Sequence, residues 1–290
     1  MSGLLDPSFT RELEALRRRL SVRARSGGGG ERVAGRRGSS AEFLEHRPYA
    51  PGDDLRRVDW LAFARTGEPV LKLFRAEEDV VVRIVVDASA SLDFGQPTKL
   101  SVAKRLAAAI GYMALASSER AQVVVAGDGL VRVNEPLRGR GTLARLLREI
   151  DVAGSERGTD LASAIDGTVL RAPRPGMLVV LSDFLDSGPF EAALGRAAAA
   201  GHDVALMQVL SPEELDPPWE GDLALEDAET HEVLDVTLDD QAREAYLRRL
   251  HGLFALLRST AKKLRATYVL TTTTAALLDP VRRLVEHSVD

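Results

Sequence analysis

Val80-Val81-Val82-Arg83-Ile84-Val85-Val86-Asp87-Ala88-Ser89-Ala90-Ser91 is the stretch that decides how this chain is read. A nearly continuous β-branched run ends abruptly in an acid and two spaced hydroxyls. Such a run predicts a strand of a parallel sheet, buried on both faces. Ligands of open α/β sheets bind beyond the carboxyl ends of the strands, which is where Asp87, Ser89 and Ser91 would stand. Oxygen donors at i, i+2 and i+4 on a tight loop suit a hard cation such as Mg²⁺. The competing reading is that Ser89 or Ser91 caps the helix that follows. This stretch alone leaves both open.

Downstream, strand and helix patterns alternate. Leu100 to Ser117 has helical spacing, with alanines that allow close packing on a sheet. Gln122–Ala126 and Leu130–Val133 read as strands joined by a Gly127-Asp128-Gly129 turn. Helices follow at Leu143–Ile150 and from Arg157-Gly158-Thr159 to about Leu170. Met177–Leu181 is a second buried strand, ending in Ser182-Asp183, and a helix from Pro189 to Ala200 leads to a strand at Val204–Val209. This alternation predicts an α/β fold with a doubly wound, mostly parallel sheet. Beyond Pro217-Pro218-Trp219 we expect a two-stranded antiparallel insertion near 220–238 and a long charged helix from Asp239 to Ala266. A short strand at Tyr268–Leu270 and a terminal helix from about Ala275 complete the α/β domain, which spans 79–290.

Upstream, residues 1–78 read as an N-terminal arm packing on that domain. An amphipathic helix over 8–25 carries Leu13, Leu16 and Leu20 at helical spacing and ends at Gly27-Gly28-Gly29-Gly30. Residues 1–47 hold ten arginines against six acids. We read these, Arg32, Arg36 and Arg37 included, as a solvated face docking on an acidic body, because no aromatic residue among them could stack on a base. Between Arg47 and Trp60, Pro48, Pro51 and Gly52 force a turn. Asp53, Asp54, Arg56, Arg57 and Asp59 supply charges for a structural corner around Trp60 and Phe63, locked by arginine–carboxylate bonds. Pro69 to Arg75 is a strand leading into the central one.

Composition narrows the function. The chain has 290 residues, a formal charge of -5 and no cysteine. Thiolate metal sites, disulfides and thiol chemistry are excluded, and overall acidity disfavours nucleic acid. No apolar run approaches the ~18–20 residues that span a bilayer, and charges near Met1 disrupt any signal-peptide core. A cytoplasmic protein is expected. The five histidines are scattered and read as surface or interface residues. Phosphate-loop, dinucleotide-loop and nucleophile-elbow motifs are absent.

Two further loops complete a pattern. If the strands at 80–86, 177–181 and 204–209 run parallel, Asp87 and Asp183 emerge at one edge, and Thr159 opens a helix in a Gly-Thr turn. Asp87-x-Ser89-x-Ser91, Thr159 and Asp183 together resemble the metal-ion-dependent adhesion site of von Willebrand factor A domains. The resemblance implies direct ligation by Ser89, Ser91 and Thr159, and direct or water-mediated roles for Asp87 and Asp183. The segment Arg47-Pro48-Tyr49-Ala50-Pro51-Gly52-Asp53-Asp54-Leu55-Arg56-Arg57-Val58-Asp59-Trp60, with Phe63-Ala64-Arg65-Thr66, resembles a bacterial branch of that fold known only as domain-of-unknown-function family fifty-eight. What this implies is a non-enzymatic protein-binding module using Mg²⁺, or Mn²⁺ or Ca²⁺. It would serve as adaptor or co-chaperone of a MoxR-type AAA+ ATPase. Many relatives carry transmembrane helices, which this sequence lacks. The alternatives are a Mg²⁺-dependent phosphatase or hydrolase, and a scaffold whose site stays unoccupied. Against the former, Ser89 stands where an acid would protonate the leaving group.

Overall fold

The computed structural model describes residues 3–26, 43–51, 53–74, 80–127, 130–154, 160–185, 188–228 and 232–287. In chain order its elements are α1 (Pro7–Ser26), β1 (Phe43–Pro48), α2 (Trp60–Thr66), β2 (Val70–Phe74), β3 (Val81–Asp87), α3 (Lys99–Ala116), β4 (Arg120–Gly127), β5 (Leu130–Val133), β6 (Leu137–Arg138), α4 (Leu143–Asp151), α5 (Leu161–Leu170), β7 (Met177–Ser182), α6 (Phe190–Ala199), β8 (Asp203–Leu210), α7 (Pro212–Leu215), β9 (Gly221–Glu226), β10 (Val233–Leu238), α8 (Asp240–Leu264), β11 (Thr267–Thr272) and α9 (Leu278–His287). They form two compact units, one of Met1–Ser21 with Val80–Asp290 and one of Val22–Asp79. The boundary at 79/80 falls beside the expected 78/79, and residues 1–21, most of the first helix, group with the α/β body.

The β-branched run forms the strand it predicts. β3 lies at the centre of a sheet ordered β11-β8-β7-β3-β4-β5, with β6 also on β4. β11, β8, β7, β3 and β4 are parallel, and β5 and β6 run antiparallel to β4. Side chains of a strand alternate between faces, and both faces here are covered. Val82, Ile84 and Val86 meet α1, α3, α4 and α9 in one core. Val85 meets α5, α6 and α8 in the other.

Close packing on the first face follows from small residues. Ala103, Ala107, Ala108 and Ala109 of α3 are fully buried. A Cβ on Gly111 would lie 2.3 Å from Cδ2 of Leu146, so the bare backbone is what lets α4 approach α3. Leu5, Phe9, Leu13 and Leu16 form the buried stripe of the α1 segment, and Glu14 accepts a 2.5 Å hydrogen bond from the Tyr112 hydroxyl of α3. The side chain of Leu20, the glycine run and Arg32, Arg36 and Arg37 lie outside the described residues.

Arg83 shows what a charge costs on such a strand. It is 1% exposed; its Nη2 donates to the Arg174 carbonyl at 3.2 Å, while Nε and Nη1 have no partner among the described residues. His202 is also buried, at 6% exposure, where a surface or interface position was expected of it. Burial pushes its pKa down and the Arg83 charge pushes it further. Gly201 brings the chain into β8 at a left-handed φ of 88°, and the next residue goes inward.

The Val22–Asp79 unit contains an antiparallel β1–β2 pair with Pro48 opposite Val70. β1 was not anticipated. Acids do lock its loop, one of them through an arginine as expected and others through backbone amides. Asp54 accepts from the Arg56 amide and Asp59 from the amides of Leu61 and Ala62; Asp59 also lies 3.0 Å from His46 and Asp53 2.7 Å from Arg47. Trp60 is 59% exposed, with Phe63 edge-on at 6.1 Å. The tryptophan sits on the surface rather than anchoring a corner. β9 and β10 form the expected separate antiparallel pair. Among the described residues no helix is long and apolar enough to cross a membrane.

Candidate metal centre

From β3 the chain moves to β4 on one side and later to β7 on the other. The connections thus diverge between β3 and β7, which opens a crevice at their carboxyl ends. Val86 is level with Leu181, so Asp87 stands beside Ser182, and Asp183 follows at once.

The polar groups there are nearly all buried: Asp87 is 2% exposed, Ser89 3% and Asp183 1%. Asp87 accepts from the Ser182 hydroxyl at 2.5 Å through Oδ2 and from the Ser89 amide at 3.0 Å through Oδ1. Burial pushes its pKa up and the Asp183 charge adds to this, while the Ser182 and Ser89 hydrogen bonds oppose both. Ser89 Oγ is 3.0 Å from Ser91 Oγ, and Ser91 donates to Asp183 Oδ2 at 2.9 Å. Asp183 is held in turn: its Oδ1 accepts from the Leu185 amide and its carbonyl from Gln208, which accepts from the Tyr268 hydroxyl. Phe184 takes a left-handed φ of 58°, a strained conformation for an aromatic residue, and buries its ring against Phe190 at 5.5 Å.

Neither serine caps a helix. The 3₁₀ turn Ala90–Asp93 has no side-chain cap bond from Ser89, and α3 is capped by Thr98, which accepts from the Ser101 amide. The hydroxyls instead form a hydrogen-bonded run that ends on the Asp183 carboxylate. An octahedral site with Mg–O bonds of about 2.1 Å has edges of about 3.0 Å, against the 3.0 and 2.9 Å found here. Neutral hydroxyls with carboxylate oxygen form a hard donor set, which suits Mg²⁺, Mn²⁺ or Ca²⁺. Among the described residues no three or more His, Cys, Asp or Glu gather into a metal-holding group, so such a site depends on the serines. Thr159 lies outside the described residues. The helix it was expected to open is present as α5, capped by Asp160, which accepts from the Ser163 amide.

Three residues of the cluster were missed from sequence. Ser182 is one. Lys99, in the first turn of α3, is 1% exposed; its ammonium lies 2.7 Å from Asp183 Oδ2 and 2.5 Å from Glu214 Oε1. Glu214 is in α7, where it forms a capping box with Ser211, and its carbonyl accepts from the Tyr246 hydroxyl of α8. A signal for Lys99 did exist: it falls on the helical stripe of Val102, Ala103 and Leu106, all buried. Around the cluster stand the partly exposed apolar side chains of Phe94, Leu185 and Trp219, the first and last with ring centres 6.2 Å apart.

The family model described as "Protein of unknown function DUF58" matches residues 45–252. An uncharacterised protein of Mycobacterium tuberculosis is 38% identical over 220 residues, covering 73% of this chain and 68% of its own. Among solved structures, the conserved hypothetical protein BatB of Bacteroides thetaiotaomicron is 20% identical, with TM-score 0.47 over 73% of this chain and 100% of that one. The SpRpn10 VWA domain is 11% identical, with TM-score 0.42 over 70% of this chain and 94% of that one.

Proposed function

This chain belongs to the DUF58 family, and from that premise we propose that it is a protein-interaction module in which Ser89, Ser91, Thr159 and Asp183 hold a divalent cation, with Asp87 behind them. The observation that supports this reading most directly is the run of oxygens from Ser89 Oγ to Ser91 Oγ to Asp183 Oδ2 at octahedral-edge spacing. Asp87 has both oxygens engaged by Ser182 and Ser89, so its part is to fix the serine loop and lend negative charge. A bound cation would supply an electrophilic position open to a carboxylate oxygen of a partner. Phe94, Leu185 and Trp219 at the rim would then shield that contact from water.

The cation in this reading is Mg²⁺, with Mn²⁺ or Ca²⁺ as substitutes. The partner is a MoxR-type AAA+ ATPase, taken from the resemblance of the Arg47–Trp60 segment, and the setting is the cytoplasm. Binding is favoured over hydrolysis because residue 89 is a serine, whose hydroxyl is too weak an acid to protonate a leaving group near neutral pH.

The test is calorimetric titration of metal-stripped protein with Mg²⁺ and Mn²⁺, beside the double variant Ser89→Ala/Ser91→Ala. The unmodified protein should bind and the variant should not, with both melting alike. Equal binding by the two would place the cation elsewhere. Capture of the ATPase that vanishes with chelator and in the variant would support the adaptor role, and metal-independent capture would leave the cluster a scaffold element.

A further inference from the structure

Lys99 has a place in this cluster that neither helix packing nor cation ligation accounts for. Its ammonium is almost fully buried and bridges Asp183 Oδ2, on the loop after β7, to Glu214 Oε1 in α7, which is 13% exposed. The same Asp183 oxygen accepts from Ser91. It is therefore shared between a fixed positive charge and the hydroxyl next to the candidate cation position. A buried charge that loses its partners is strongly destabilising, so Lys99 is held to these two carboxylates.

We propose that Lys99 is the built-in counter-cation of the site: it weakens binding of a bare divalent cation and thereby makes cation and partner carboxylate bind together. This rests on the cation reading above. Asp87, Asp183 and Glu214 against Lys99 leave the cluster a formal charge of -2. Adding a divalent cation takes it to neutrality, so a partner's carboxylate no longer meets a net negative site. Each component then improves binding of the other, which is the reciprocity of coupled sites. Without the ammonium the cluster starts at -3, the bare cation is attracted strongly, and the result is still anionic and repels a partner's acid. Glu214 sets how much of the ammonium's charge falls on Asp183, because it is the other anchor.

The experiment is a calorimetric titration with Mg²⁺ and with Mn²⁺, with and without acetate as a simple carboxylate probe. It compares the full chain with Lys99→Met and Glu214→Gln. Methionine keeps an unbranched apolar stem in the buried channel. Expected for Lys99→Met is Mg²⁺ affinity raised at least about tenfold, about 1.4 kcal/mol, with no further gain from acetate. In the unmodified chain acetate tightens Mg²⁺ binding. Glu214→Gln should act in the opposite direction and weaken Mg²⁺, since the ammonium then falls wholly to Asp183. Should Lys99→Met not fold, Glu214→Gln decides alone: weaker binding supports the proposal, and equal or tighter binding overturns it. Unchanged or lower affinity in a folded Lys99→Met, beside normal binding by the unmodified chain, overturns the lysine's role and leaves the cation reading intact. Absence of binding by both the unmodified chain and Lys99→Met overturns the cation reading and this inference with it.

Discussion

Replacing Arg83 by methionine should make this protein more stable. The guanidinium carries five N–H donors, of which one meets the Arg174 carbonyl at 3.2 Å among the described residues. Nε and Nη1 are buried without a partner among the described residues, and each such nitrogen costs about 1–3 kcal/mol. Burial also holds the Arg83 pKa below its ordinary value, the sign of a charge kept where water cannot reach it. Methionine removes both orphans and keeps most of the apolar stem, at the loss of one neutral-acceptor hydrogen bond. The balance is a gain of about 1–4 kcal/mol, the range found when buried charges give way to apolar side chains. At roughly 2–4 °C per kcal/mol for a domain of this size, the melting temperature should rise by at least about 2 °C, measured by calorimetry at pH 7. A second reading comes from the neighbour: His202 should titrate higher in the variant, by imidazole NMR, because the Arg83 charge is gone. A lower melting temperature with His202 unmoved would refute the argument and mean that the guanidinium is needed where it stands.

His202 also sets an acid limit. Its folded pKa is depressed from 6.5 by burial, so the unfolded chain binds the proton first. The stability it contributes is complete above about 6.5 and is lost as pH falls through the range below. His202→Gln should flatten that part of the profile in urea melts between pH 7 and 5. Leu13→Ala, at a position with no exposure, should cost about 2–5 kcal/mol, read as a lower urea midpoint. An unchanged midpoint would mean that α1 is not part of the cooperative unit.

How much of this was legible beforehand follows from the range of each interaction. The Val80–Val86 run declared a doubly covered strand because both of its faces are apolar, and the acid and hydroxyls after it are local in sequence. Asp183 was legible for the same reason, standing directly after Met177–Leu181. Glu214, by contrast, meets Lys99 across 115 positions, and nothing local announces such a pairing. The lysine's presence on an apolar stripe was the missed clue. β1 was hidden by charged residues and by Pro48, which can serve only where a strand has no neighbour to donate to. His202 follows a glycine at a helix end, where a turn and exposure were the natural reading. Trp60 was read from the acids and arginines beside it, whereas Asp54 and Asp59 cap backbone amides and leave the ring exposed.

The place of α1 bears on how the chain is made. Glu14 and its partner Tyr112 are 98 positions apart, and α1 leaves the ribosome ahead of every strand it will cover. At about 5–20 residues per second, synthesis alone keeps Leu5, Phe9, Leu13 and Leu16 waiting roughly 5–20 s for α3. During that interval an apolar stripe is available to chaperones or to the nascent chains of neighbouring ribosomes. Production of this protein should therefore be governed less by the stability of its finished core than by what guards its first helix while the sheet is still being translated.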